Sequence, residues 1–404
     1  MKDRIVGIET EYGILPILSN DFSFHRFIEN GGKVYLETAG NHPEYAAPEC
    51  IGPTAAALYD AAGDILMNRL FEGSGYELHR LNADEDGTHF GSHENYSVPN
   101  ELMKNAKRIG YTIPFIAPFL VTRQIFAGAG YYFHGEFRVS QRSNAINFLR
   151  SLETHDRRRA IVNEKNEPHA STCARLHLIL GDSNMCEYAN ALKLATTCMV
   201  LDMAEEHLEV PIKFYDPVEA LHNISGFEWV VTANNGTIHA VDVQRLYLDM
   251  ARRFYGRADL ATSYYLDEWE RVLDVLKEEP RSLAGELEWP TKLAILDGLD
   301  EEDRFDAHLR WHNIDPKKSL YHELRRKGEI RTCFDEKKIK RASHYPPQNT
   351  RAYLRGKFVR RFPRDGEPRI VIDWTRIGSL EMPDPFDTYE RYISEMDKLV
   401  KGLL

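Results

Sequence analysis

The sequence predicts an α+β protein, on three observations. Several segments alternate with period 2, with ionisable residues on one face and aliphatic residues on the other, as antiparallel strands packed on one side do. Longer amphipathic stretches lie between them without the regular strand–helix alternation of a parallel sheet. The composition is that of a cored globular chain. Its 404 residues, 43% of them hydrophobic, suffice for a large core without disulfides, and 26 Gly and 19 Pro exclude collagen-like or disordered chains.

The elements follow in order. In Arg4–Tyr12, Val6, Ile8 and Tyr12 share one face, and Gly7, Glu9 and Glu11 the other. In Lys33–Glu37, Val34 and Leu36 oppose Lys33, Tyr35 and Glu37. Pro53-Thr54 opens a helix running to about Leu70, with Leu58, Ala62, Ile65 and Leu66 on one stripe. Glu136–Arg142 repeats the strand pattern with Glu136, Arg138 and Arg142 aligned, and Arg175–Leu180 places Arg175 and His177 together. Further helices are predicted over Cys186–His207, Val243–Phe254, Ser263–Glu278 and Asp387–Leu403. Two domains are expected: a catalytic one over 1–328 and a small basic one over 329–404, with Tyr345-Pro346-Pro347-Gln348-Asn349 as the clearest punctuation near its start.

Charge is uneven. Lys317–Arg369 holds 17 Lys and Arg against 6 Asp and Glu, or +11, so the remainder of a chain of net −11 carries −22. This asymmetry predicts an anionic partner for the C-terminal third. Nucleic acid is a poor candidate, because the stretch lacks a helix-turn-helix, a zinc module or an aromatic RNA-binding signature. No apolar run reaches the ~18 residues of a membrane helix; Ile113–Val121 is the longest and contains two prolines. The five cysteines are scattered without a Cys-x-x-Cys, and no signal-peptide pattern precedes the first strand, so a reducing cytoplasm is expected.

The candidate chemistry is carboxylate-rich. There is no P-loop, Gly128-Ala129-Gly130 is a lone GxG, and His89 and His93 have metal spacing but no third soft ligand nearby in sequence. Glu9, Glu11, Glu37, Glu44 and Glu94 offer the oxygen ligands that Mg²⁺ takes, and Arg138, Arg142, Arg175 and His177 offer phosphate binders. On the residues alone, an ATP–Mg²⁺ platform and a set of cross-strand ion pairs remain equal readings.

A resemblance separates them. Gly7-Ile8-Glu9-Thr10-Glu11-Tyr12-Gly13, Asn30-Gly31-Gly32 leading into Val34-Tyr35-Leu36, His42-Pro43-Glu44-Tyr45 and His93-Glu94-Asn95-Tyr96 resemble blocks of the Pup–protein ligase and Pup deamidase/depupylase family. Ser140-Gln141-Arg142, Glu167-Pro168-His169-Ala170, Arg175-Leu176-His177, Gly181-Asp182-Ser183-Asn184-Met185, Pro346-Pro347 with Thr350-Arg351-Ala352, and Asp373-Trp374 continue the series in family order. The resemblance implies a glutamine-synthetase-like fold: a curved antiparallel sheet with ATP on its concave face, helices on its convex face, and a small C-terminal domain.

The resemblance also implies roles. Glu9, Tyr35 and Glu44 match Mg²⁺ ligands, and Glu94 is taken as another. Lys33, Ala47 and Trp374 match nucleotide contacts, with Glu11, Arg138, Arg142, His169, Arg175 and His177 assigned to ATP or its phosphates. Glu37 stands where the family has its catalytic aspartate, Lys33 where it has arginine, and Ala47 where it has threonine. The spacing from Glu37 to His42 is one residue longer, through Thr38-Ala39-Gly40-Asn41. Only 16 residues separate Gly13 from Asn30, which leaves no room for the deamidase branch's insertion, and Met382-Pro383-Asp384-Pro385-Phe386 is similar to the ligases. Pro48-Glu49 is more similar to the deamidase.

The expectation is an ATP- and Mg²⁺-dependent carboxylate–amine ligase. It would join a glutamate side chain of an acidic, Pup-like tag to a lysine of a protein acceptor. A phosphotransferase or small-molecule ligase with another acceptor is the alternative. Behind these stand a deamidase/depupylase and a catalytically silent binding module.

Overall fold

The computed structural model describes residues 1–18, 23–37, 42–83, 88–104, 106–153, 158–165, 167–362 and 370–401, with the side chains of 104, 106–108 and 389 left aside. The segment Thr38–Asn41, whose spacing is one residue longer, and the 363–369 end of the basic stretch lie outside them.

One large sheet organises the chain. Its strands are β1 (Ile5–Glu11), β2 (His25–Phe27), β3 (Lys33–Leu36), β4 (Pro43–Ala46), β5 (Cys50–Ile51), β6 (Ser92–Val98), β7 (Phe148–Ser151), β8 (Ala160–Asn163) and β9 (Ala174–Leu178). They run in the order β7-β8-β9-β6-β1-β4-β3-β2, with β5 also pairing with β1. Every described pair is antiparallel except β7 with β8, so the sheet is mixed at one edge rather than wholly antiparallel.

The alternation within β1 decides what each face carries. Val6, Ile8 and Thr10 point to a layer of helices, and Gly7, Glu9 and Glu11 point away from it. Helix α1 (Pro53–Leu70) lies under β1 and β5, with Pro at its first position, where the missing N–H is no loss. Its Asp60 accepts a hydrogen bond from Thr10 of β1 at 3.0 Å. Helix α2 (Ala106–Thr122) and the almost wholly buried α3 (Glu187–Glu205) complete the layer. Burial of Val, Leu, Ile and Phe side chains at ~25 cal/mol per Å² makes this layer the main source of stability.

A second, smaller core lies at the C-terminal end. It comprises Leu354 and Phe358 of a helix (Ala352–Arg361), Ile377, Leu380 and Met382 of a three-stranded meander, and Tyr392 and Met396 of the last helix (Tyr389–Lys401). Ile330, Phe334, Ile339 and Ala342 cluster with the main core instead. The small unit docks on the sheet through Gly31. At φ 83° this residue is left-handed, and a Cβ would meet the Ala352 carbonyl oxygen at 2.5 Å, so only glycine fits. Arg355 also donates to the Gly31 carbonyl, at 3.1 Å.

One predicted strand lies elsewhere. Glu136–Arg138 pairs with Tyr131–Phe133 in a separate hairpin and is no part of the large sheet.

Candidate active site

Pairing register brings the polar residues of five strands into one row. Glu9 faces Ala46 on one side and His93 on the other, Glu11 faces Glu44, Tyr35 faces Glu44, Lys33 faces Ala46, and His177 faces Asn95. The row floors a cavity of about 560 Å³, which Glu37, Arg142, His169 and Trp374 also line. Gly7 lies on the same face with nothing within 4 Å of the position a Cβ would take, leaving the floor open beside Glu9.

Electrostatics show what the cavity lacks. Glu44 is buried, and its carboxyl is pushed well above the usual range by burial, then by Glu11 and Glu9. Tyr35 donates its hydroxyl hydrogen bond to Glu44 and is itself pushed well up by burial and then by that carboxylate. Burial would also raise Glu9, but the hydrogen bond from His93 at 3.4 Å and the fields of the cationic side hold it well below the ordinary range. His177 is kept neutral, chiefly by burial and then by His93 and Arg175, so Arg175, 3.8 Å from Glu9, supplies the fixed positive charge. Three carboxylates and a phenol facing one another, one of them shifted toward protonation, are short of positive charge. A hard divalent cation matches that deficit and that oxygen donor set.

Two cations that line the same cavity, Arg142 and Lys33, form no salt bridge among the described residues. Arg142 is buried, and burial followed by Arg159 lowers its guanidinium to about 10. Its Nε donates to the Ile179 carbonyl at 3.1 Å, and its Nη1 is buried without a partner. Lys33 lies 5.0 Å from the Tyr35 ring centroid, and burial lowers its ammonium. Unpaired buried guanidinium hydrogens beside a cation-binding floor suit the oxygens of a polyphosphate. A smaller adjoining hollow of about 100 Å³, lined by Gly7, Ala47, His169 and Trp374 among others, is mostly apolar. Trp374 is held edge-on to Phe27 at 5.1 Å, with the Arg355 guanidinium 4.9 Å above its ring.

Two assigned residues do not join the site. Glu94 alternates with His93, so it faces the helices. There it is fully buried and accepts from Arg123 at 2.5 and 2.9 Å and from Tyr96 at 2.6 Å, leaving no oxygen for a metal. Arg138 sits on the outlying hairpin, paired with Glu136 at 3.2 Å, because its strand belongs to another sheet. Glu37 directly follows β3 and lines the cavity, and its backbone N–H donates to the His42 carbonyl at 3.0 Å.

One cluster was missed in sequence. Glu9, His93 and His177 present ligand atoms within 4.8 Å of one another, and His177 has both ring nitrogens buried without hydrogen bonds. The third ligand for His93 thus comes from strands far away in sequence, while His89 is no member. Period-2 parity placed His177 on the charged face, but only strand register puts it beside Glu9.

A sheet with helices on one face and a cavity lined by both carboxylates and cations on the other is the architecture of an ATP-using ligase fold. Residues 17–378 match the family model described as Pup-ligase protein, and the chain belongs to that family. It is 33% identical over 435 residues to a Pup–protein ligase of Pseudarthrobacter chlorophenolicus, covering 93% of both chains. A Pup deamidase/depupylase of Mycolicibacterium smegmatis is also 33% identical, over 84% of this chain and 72% of the relative. Among solved structures, the Pup ligase PafA in complex with Pup superimposes with TM-score 0.86 at 27% identity, over 99% of this chain and 91% of that one. PafA in complex with ADP gives 0.82 at 28% identity, over 94% and 90%. A glutamate–cysteine ligase of Francisella tularensis shares the fold alone, with TM-score 0.52 at 9% identity over 99% and 98%.

Proposed function

We propose that the protein is an ATP-dependent ligase. It joins the side-chain carboxylate of a glutamate on a small, acidic, Pup-like tag to a lysine amine of another protein. The observation that carries this reading is that a carboxylate suited to act as base, Glu37, lines the same cavity as the oxygen cluster of Glu9, Glu11 and Glu44 and the cations Lys33, Arg142 and Arg175. Activation of a carboxylate and attack by an amine need those two halves in one place.

Glu9, Tyr35 and Glu44 are the residues that would hold Mg²⁺, which neutralises phosphate charge during transfer. Arg142, Arg175 and Lys33 hold the triphosphate oxygens, and Ala47 and Trp374 flank the base. The tag carboxylate displaces ADP at the γ-phosphorus, forming an acyl phosphate. The lysine amine, its proton taken by Glu37, then attacks the acyl carbon, and phosphate leaves as the amide forms. The basic stretch from Lys317 onward faces an acidic tag. No helix among the described residues is long and apolar enough to cross a membrane, and all five cysteines are free, which fits work in the cytoplasm.

The test is mass spectrometry after incubation with ATP, Mg²⁺, a Pup-like tag ending in glutamate and a lysine-bearing protein. An isopeptide remnant on lysine is expected. Glu37→Gln should abolish it while ADP binding stays within a few-fold. A remnant formed equally well by Glu37→Gln overturns the role of Glu37.

A second reading has support in Pro48-Glu49 and in the depupylase relatives: the same site passes the acyl group to water. Release of tag from a conjugate, without ligation under any condition, would establish it. The match spans 93% of the ligase's length but 72% of the depupylase's, which favours ligation.

A further inference from the structure

On the helix side of the sheet a cavity of about 390 Å³ opens between α1, the start of α3 and two helices of the basic stretch, Leu320–Lys327 and Glu336–His344. It lies across β1 from the nucleotide cavity, and the two share no lining residue. Its base and its walls differ in chemistry. At the base, Asp60 and Asp64 share one guanidinium, Arg80, at 2.6 and 3.2 Å. Asp60 is saturated, with Thr10 at 3.0 Å and the Asn190 side-chain N–H at 2.8 Å as further donors. Asp64 has the Tyr12 hydroxyl at 2.9 Å, and burial pushes its carboxyl up to about 6. Asn190 is 97% buried, and its carbonyl oxygen has no hydrogen-bond partner.

Two carboxylates against one guanidinium leave a negative charge, and the unpartnered oxygen of Asn190 adds an acceptor. Both call for N–H donors carrying positive charge. Part of the wall is aliphatic, with Ala57, Ala61, Ile65, Ile314 and Ile339, beside charged side chains such as Glu187, Arg325, Glu336 and Lys340. A bare metal ion would leave these walls unmatched, whereas a methylene chain fills them, and the volume is that of a small-molecule site.

We propose that this cavity is a second ligand site that takes the ammonium group of a small aliphatic amine at Asp64 and Asn190, with its carbon chain along the aliphatic walls. Two sources share that chemistry: a free amino acid, whose carboxylate would meet Lys340 or Arg326 at the cavity's rim, and a polyamine. The site is independent of the ligase reading, since no residue of the reacting cavity takes part.

Isothermal titration of the full chain with L-lysine and, separately, putrescine tests it. Saturable binding in the millimolar range or tighter is expected. Asp64→Asn should weaken it about tenfold or more, the loss of one charge-assisted hydrogen bond. Ala61→Phe should abolish it by filling the chain's path without touching the charged network, and this arm stands if Asp64→Asn does not fold. Tighter binding of L-lysine identifies an amino-acid site, and tighter binding of putrescine a polyamine site. No saturable heat with either amine, or binding unchanged in folded Ala61→Phe, overturns the proposal.

Discussion

Replacing Glu49 with glutamine would undo the junction between the two cores. Glu49 follows β4, is buried, and receives Arg351 Nε at 2.8 Å, Arg355 Nη1 at 3.1 Å and the other Arg355 terminal nitrogen. The same arginines reach the carbonyls of Met382, His169 and Trp374 at 2.7–2.9 Å, so one carboxylate anchors the small unit, the His169 loop and the cavity-lining tryptophan. Burial opposes the charge, but Arg355 and Arg351 hold the carboxyl at about 2 against the ordinary 4.5. That depression corresponds to about 3 kcal/mol, and removing one partner of a buried ion pair costs about 3–5 kcal/mol. Because the folded-state value is the lower one, this stability is complete above about pH 4.5 and is lost as pH falls toward 2. Glu49→Gln should therefore be about 3 kcal/mol less stable in urea at neutral pH, and should lose that difference as the wild type is acidified. Hydrogen exchange should quicken first in Ala352–Arg361. A change below about 1 kcal/mol, well under the range for broken buried pairs, would refute the assignment of Glu49 as the anchor.

Two further outcomes follow from the site. Glu94→Gln should cost about 3–5 kcal/mol by stranding Arg123, yet the folded fraction should turn over ATP normally. Glu9→Gln should lose Mg²⁺ affinity, and because the folded state holds this carboxyl below its ordinary range, it should also lower the urea midpoint at neutral pH. Cation binding should also release a proton, because Glu44 is shifted upward by burial and by Glu11 and Glu9. Mg²⁺ affinity should thus rise with pH above the usual carboxylate range and level off beyond the raised value. Calorimetry in buffers of different ionisation enthalpy checks this, and buffer-independent heats would contradict it.

What the sequence made legible was parity. Alternation in Arg4–Tyr12 puts Glu9 and Glu11 on one side because successive side chains in a strand must oppose one another, and the observed strand obeys it. The same rule, applied to His93-Glu94-Asn95-Tyr96, separates Glu94 from His93 and groups it with Tyr96 and Val98, so its burial was readable from its own strand. Parity does not say which strands are neighbours. Arg138 alternates properly within a short hairpin, and nothing local distinguishes a hairpin strand from one in the main sheet. His177 meets Glu9 only because β9 and β1 flank β6, a register set by contacts 76 to 90 residues apart. The meander of the small unit consists of two-residue strands, too short for any period to register.

The docking of the small unit through Gly31 and Glu49 also bears on the order in which the protein is made. A chain emerging from the ribosome carries Glu9, Tyr35 and Glu44 three hundred residues before it carries Arg351, Arg355 and Trp374. Until those arrive, the chain lacks the tryptophan that lines the hollow beside Gly7 and Ala47 and the arginines that neutralise Glu49. A half-made chain therefore lacks part of the wall of its own cavity, and synthesis supplies that wall only near its end.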